Sequence, residues 1–215
     1  MTLLDRPLDQ GITRIKILVI KMGRLTEDSL KLAMDGFVKK EDVFLQVRSW
    51  SNTIQILAEE VEDRATELIA LQQPMAGDLR ILKSYIKIAY DIERFSRYAL
   101  DISDLPNRLE SWPPFGGELK LTEMADKAIE AVDISIRLIQ AMDEKLVFEL
   151  SSLESETDDL YVQNLAILAE AKRADPKTMI AYTLTVRYLE RIADHASYIA
   201  ESLTYASTGK RLIIR

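Results

Sequence analysis

The chain has no cysteine, a single histidine, and only seven glycines and six prolines among its 215 residues. Each shortage removes a class of protein. Without cysteine there are no disulfides, no thiolate metal sites and no cysteine nucleophile. One imidazole argues against a zinc enzyme, whose site usually draws on several imidazoles or thiolates. No run approaches the roughly 18 apolar residues of a spanning helix, because Arg14, Lys16 and Lys21 interrupt the richest stretch. The N-terminal residues show no charged start, apolar block and small-residue cleavage site of a secretory signal, so a cytoplasmic protein that does not span a membrane is expected. A net charge of −7 lacks the clustered basic footprint of a nucleic-acid binder. No Gly-x-x-x-x-Gly-Lys phosphate loop occurs either.

What the chain has instead is long helical periodicity. Ile15, Leu18, Met22, Leu25, Ser29, Leu32 and Gly36 recur in steps of three and four, the spacing of one face of a helix. Trp50, Ile54, Leu57, Val61, Leu68 and Leu71 predict a second helix ending near Gln73. After the break at Pro74, a third runs through Leu82, Ile86, Ala89, Phe95 and Ile102. The tract from Pro106 to Gly117, with two consecutive prolines and two consecutive glycines, reads as a linker. Leu121, Ala128, Val132, Ile136 and Ile139 give a fourth helix, and Leu153, Thr157, Leu160, Asn164, Ile167 and Ala171 a fifth. Asp175-Pro176 starts the sixth, since Asp caps free amides and Pro fits the first helical position; Gly209 stops it. No segment alternates like a strand. The expectation is an all-α fold of two tandem antiparallel three-helix repeats, 1–105 and 118–215, joined by a linker at 106–117 and packed into one helical bundle.

The repeat is visible in the residues themselves. Asp91-Ile92-Glu93-Arg94-Phe95-Ser96-Arg97-Tyr98-Ala99 echoes Tyr188-Leu189-Glu190-Arg191-Ile192-Ala193-Asp194-His195-Ala196 at a constant offset, which means one structural unit built twice. The copies differ where chemistry would sit: Glu190 and Asp194 form a carboxylate pair, whereas Glu93 faces Arg97. Carboxylates four apart share a helix face and repel by roughly 0.2–0.5 kcal/mol unless a positive charge lies between them. Glu154 and Asp158 on the fifth helix form a second such pair, and both pairs flank a buried stripe. If the fifth and sixth helices are neighbours, four carboxylates converge. Oxygen ligands without sulfur or imidazole suit Mg, Ca, Mn or Fe. The other reading is of ordinary ion pairs, with Arg187 three residues before Glu190 and Arg191 three before Asp194. A ferritin-type centre wants Glu-x-x-His, and Ile192 stands three before His195, so His195 is expected at an exposed or edge position.

Three features together resemble the PhoU family of phosphate-uptake accessory proteins: Met22-Gly23 in the first helix, the Leu71-Gln72-Gln73-Pro74 corner, and the two Glu-Arg helices. Lys87 through Arg94 is similar to the family's "KIA-x-DLER", and Arg187 through Ala196 to "RYLERIGDHA", with Ala193 in place of Gly. The likeness runs from about Leu18 to Glu201. It implies acidic metal motifs on the second and third helices of each repeat. The second repeat keeps both, as Glu154, Asp158, Glu190 and Asp194. In the first, Arg97 stands where the second carboxylate belongs, and Ser51 and Gln55 are not acidic, so that metal site is expected to be lost.

The resemblance further implies a non-enzymatic regulator of phosphate uptake and phosphate homeostasis acting through protein contacts. Its implied partners are the ATPase subunit of a phosphate ABC transporter or a sensor kinase. It implies a homodimer as well, for which Ile17, Val19 and Ile20 offer apolar surface beside the first helix's seam. Two other readings remain open: a carboxylate-bridged metal enzyme or metal-store protein, and a diverged helical scaffold serving another pathway.

Overall fold

The structure, a computed structural model, describes residues 6–110, 112–115, 118–171 and 174–213. Its six helices are α1 (Pro7–Lys39), α2 (Phe44–Gln72), α3 (Ala76–Leu109), α4 (Leu121–Gln140), α5 (Glu144–Glu170) and α6 (Pro176–Thr208), with no strand among the described residues. Local chemistry sets several ends. Asp175 accepts from the amides of Lys177 (2.9 Å) and Thr178 (3.2 Å), Pro176 follows at the first helical position, and Gly209 closes α6 in the left-handed region. Lys40 and Gln73 close α1 and α2 in the same conformation. Asp78 lies in the first turn of α3, where the helix's positive end favours a carboxylate, and Arg6 reaches it at 3.2 Å.

The helices form two three-helix bundles joined face to face. α1, α3, α4 and α6 make a central four-helix core, in which α3 packs on α6 and α1 on α4; α2 and α5 lie at opposite ends, each on its own repeat only. This explains the side chains. α6 touches three helices, and its buried face uses small residues such as Ala181, Ala193, Ala196 and Ala200. α2 and α5 touch two each, and Ile56 and Phe148 remain exposed on them. Both inter-repeat pairs run antiparallel. Lys16 donates to the carbonyl of Gln140 (2.8 Å) and Arg24 pairs with Asp133 (2.7 Å); on the other side Asp91 meets His195 and Tyr98 meets Tyr188.

At Gly23 the α1–α4 approach leaves no room for a side chain, because a Cβ would lie 2.7 Å from Cγ1 of Ile136. Alanine gains about 1 kcal/mol of helix propensity over glycine, whereas overpacking costs about 1–3 kcal/mol. Gly23→Ala is therefore expected to lower stability by about 1 kcal/mol, seen as a lower urea midpoint at unchanged slope. A stabilised variant would mean that α1 and α4 do not approach this closely.

Three expectations need correction. The third helix does not stop before Pro106 but continues to Leu109. So close to the end Pro106 forfeits a single helical hydrogen bond, and buried Leu105 and half-buried Leu109 hold the last turn on the core. The tract beyond is also tied down: Trp112, only 3% exposed, packs on Phe37 at 5.4 Å, its carbonyl accepts from Lys40, and Thr178 donates to the carbonyl of Pro113 (3.0 Å). Second, Val19 is no spare surface residue but fully buried core, and Ile20 is partly covered, while Ile17 is exposed. The buried face of α1 is wider than a two-helix seam because three helices contact it. Third, His195 is 5% exposed rather than at an edge.

Candidate metal centre

Glu154 and Asp158 occupy successive turns of α5, and Glu190 and Asp194 successive turns of α6, which packs against it. The crossing brings three of the four together. One carboxylate oxygen each from Glu154, Asp158 and Asp194 lie within 4.8 Å of one another. Two oxygens on opposite sides of a calcium-sized ion would be about 4.6–5.2 Å apart, so the separation fits a shared hard cation. Glu154 is buried, Asp194 half-buried and Asp158 exposed. They line a cleft of about 480 Å³ with Ser155, Asp159, Ser197 and Tyr198.

Glu190 is not part of that trio. Its Oε1 accepts from Arg187 at 2.6 Å, while its Oε2 is buried with no hydrogen-bond partner among the described residues. Burial chiefly, then the charge of Asp194, pushes its carboxyl up to about 7; Asp158 adds to the rise, and Arg187 and Arg191 only partly offset it. Asp158 is raised in the same way, by burial and then by Asp194 and Asp159. Arg191 approaches Asp194 at 3.8 Å. Both expected ion pairs therefore exist. Raised carboxyls and a buried oxygen without a hydrogen-bond partner are features that a hard cation would offset, and Glu154, Asp158 and Asp194 are a group that could hold one.

The corresponding surface of the first repeat is neutralised from within. Arg97 donates twice to Oε1 of Glu93, at 2.6 and 2.9 Å. Ser96 donates to Ser51 at 2.8 Å, and Gln55 donates to Glu59 at 3.2 Å. Among the described residues the first repeat offers no cluster of three metal-ligating groups.

Sequence reasoning missed a second polar feature, at the repeat interface. Nδ1 of His195 lies 2.8 Å from Oδ1 of Asp91, with Asp91 2% exposed. Phe95, Tyr90, Tyr98 and Tyr198 surround the imidazole. Burial raises the Asp91 carboxyl, and His195 and Lys87 counter it. The internal echo maps this pair onto Tyr188 and Tyr98, whose rings stack at 5.8 Å. The two equivalent arginines, Arg94 and Arg191, both donate to the Tyr98 hydroxyl, at 2.9 and 3.3 Å. The signal was present: His195 follows Tyr188 and Ile192 in steps of four and three, on the buried stripe.

The fold and the acidic cleft together define an all-α protein of two equivalent three-helix repeats, with a carboxylate cluster in one of them that could hold a hard cation. A PhoU domain model matches residues 19–105 and 121–203, and the chain belongs to the PhoU family. It is 28% identical over 206 residues to a phosphate-specific transport system accessory protein PhoU homolog of Synechocystis sp., covering 94% of this chain and 92% of that one. A homolog of the same name from Aquifex aeolicus is 31% identical over 197 residues, 89% of each chain. The crystal structure of PhoU from Pseudomonas aeruginosa superposes with a TM-score of 0.87 at 23% identity, over 94% of this chain and 99% of that one. That of the phosphate transport system regulatory protein PhoU from Streptococcus pneumoniae gives 0.87 at 18% identity, over 95% and 99%. These two likenesses speak to the fold.

Proposed function

We infer that the chain is a regulator of phosphate uptake and phosphate homeostasis that works by contact with other proteins. The observation that carries this reading is coverage: relatives named as phosphate transport accessory proteins match it over nine-tenths of both chains. No helix among the described residues is long and apolar enough to cross a membrane, which accords with a protein that meets transport machinery from the cytoplasm. The partner is the ATPase subunit of a phosphate ABC transporter or a sensor kinase, and the chain acts as a homodimer, each copy organised as repeats 1–105 and 118–215 about a linker at 106–117. Glu154, Asp158 and Asp194 hold a hard cation such as Mn, Mg, Ca or Fe, with Glu190 beside them. The first repeat holds none. The test is a pull-down from phosphate-replete cells: recovery of a phosphate transporter ATPase or sensor kinase supports regulation, and consistent recovery of unrelated partners overturns it.

One observation favours a second reading, a metal enzyme. Oε2 of Glu190 is buried without a hydrogen-bond partner among the described residues, beside the carboxylate cluster, where a general base for a metal-bound water would stand. Phosphoester turnover by the metal-loaded protein, abolished in Glu190→Gln, would reverse the order of the two.

A further inference from the structure

Lys83, Lys87 and Arg211 surround a second cleft, of about 510 Å³, formed by α3, α6 and the segment after α6. It shares no lining residue with the carboxylate cleft. Several helical cations elsewhere sit three or four residues from a carboxylate and pair with it, as Lys31 does with Glu27, Lys39 with Asp35 and Arg97 with Glu93. Here the pattern inverts. Arg80, Lys83 and Lys87 follow one another at i+3 and i+4 on one face of α3, a like-charge spacing that costs a few tenths of a kcal/mol per pair. None of them, nor Arg211, forms an ion pair among the described residues. Asp91, four beyond Lys87, is hydrogen-bonded to His195 and only favoured at a distance by the Lys87 charge, while the Lys87 ammonium lies 5.8 Å from the Tyr198 ring.

The rest of the cleft suits an organic anion. Ser84, 5% exposed, lines it and makes no hydrogen bond among the described residues. Tyr205 supplies a ring over which Arg211 already lies at 5.9 Å, and Leu212 and Ile213 add apolar wall. Arg80, its guanidinium against Gly209 and its Nε buried without a partner, adds positive charge beside it. Glu201, which has a partner of its own, is the one acid among the described lining residues, so the described lining is positive in a chain of net charge −7. Its volume falls in the range of about 300–1,000 Å³ that holds whole small organic ligands, more than a bare oxyanion needs.

We propose that this cleft binds a free phosphorylated small molecule of nucleotide size, with Lys83, Lys87 and Arg211 on the phosphate groups, Ser84 donating to them and the ring moiety against Tyr205. The inference stands apart from the metal site and from the regulatory reading. It needs no glycine-rich loop, because point charges and a hydroxyl replace backbone amides as the anion's donors.

The test is calorimetric titration of the metal-free protein with ADP, adenosine and inorganic phosphate, for wild type, Lys83→Ala/Arg211→Ala and Lys87→Gln. All three substituted side chains are exposed, and thermal melts confirm that the variants fold. Saturable ADP binding is expected, tighter than that of inorganic phosphate and absent for adenosine. It should weaken at least about tenfold in the double variant, on the order of 1.4 kcal/mol, and by a smaller factor in Lys87→Gln. Absence of saturable binding by any phosphorylated probe overturns the proposal. So does ADP binding that both variants leave unchanged, or binding confined to phosphatidylglycerol vesicles, which would place the phosphate on a membrane.

Discussion

Replacing His195 by alanine is expected to lower stability by about 3–5 kcal/mol. The imidazole is the partner of Asp91, a carboxylate 2% exposed whose other oxygen already lacks a partner. Removing the ring strands that carboxyl in a desolvated interface, where burial already raises it, and also opens a cavity among Tyr90, Phe95, Tyr98 and Tyr198. The double variant Asp91→Leu/His195→Leu should recover a large part of the loss, since an apolar pair carries no desolvation penalty. Guanidinium denaturation of the two single variants and the double variant gives the coupling. A cost below about 1 kcal/mol for His195→Ala would show the pair to be solvated.

The second large effect concerns Glu190 in chelator-treated protein. Its carboxyl rises from an ordinary 4.5 to about 7, and a rise of that size corresponds to at most about 3 kcal/mol. For a raised acid the sign is fixed: the stability is fully present below about pH 4.5 and lost as pH rises through about 7. Metal-free wild type should therefore lose about 1–3 kcal/mol between pH 5 and pH 8. Glu190→Gln should lose markedly less over that window, with a residue of decline from Asp158, which is raised in the same direction. Thermal melts across the window settle it; a wild type that gains stability with pH, matched by the variant, contradicts the electrostatic account. Adding a hard cation to wild type at pH 8 should reverse the loss, because mass action favours the folded state that binds it.

How much of this was legible in the sequence depended on range. The Asp175-Pro176 start, the Gly209 stop and the Glu93–Arg97 pair are set by residues a few positions apart on one chain segment, and the sequence shows all three. The meeting of Glu154 and Asp158 with Asp194 required one further step, that consecutive helices pack antiparallel, and that step holds. Glu190 was harder. Arg187, three residues before it, competes with the cation site for the same carboxylate, and spacing alone does not decide which prevails; in the structure Arg187 holds one oxygen and leaves the other orphaned.

The burial of His195 was legible in local spacing, but its pairing with Asp91 was not, because the two sit in different repeats and meet only through the α3–α6 contact. Pro106 misled for the opposite reason. A local rule against proline in helices was outweighed by the burial of Leu105 at the end of α3. Divergence between the repeats follows the same logic. Around the Arg94, Arg191 and Tyr98 cluster the two arginines are kept. The paired positions on either side have separated into Asp91–His195 and Tyr188–Tyr98, and the outer faces into a carboxylate cluster and an ion pair.

The central claim is that this asymmetry is functional: a cation belongs to the second repeat alone. The most direct measurement is metal content by mass spectrometry after equilibration with Mn²⁺ and gel filtration, for wild type, Asp194→Asn and Glu93→Gln. The account predicts stoichiometric metal in wild type and Glu93→Gln, and its loss in Asp194→Asn. Metal retained by Asp194→Asn, metal that depends on Glu93, or a wild type that holds none would contradict it.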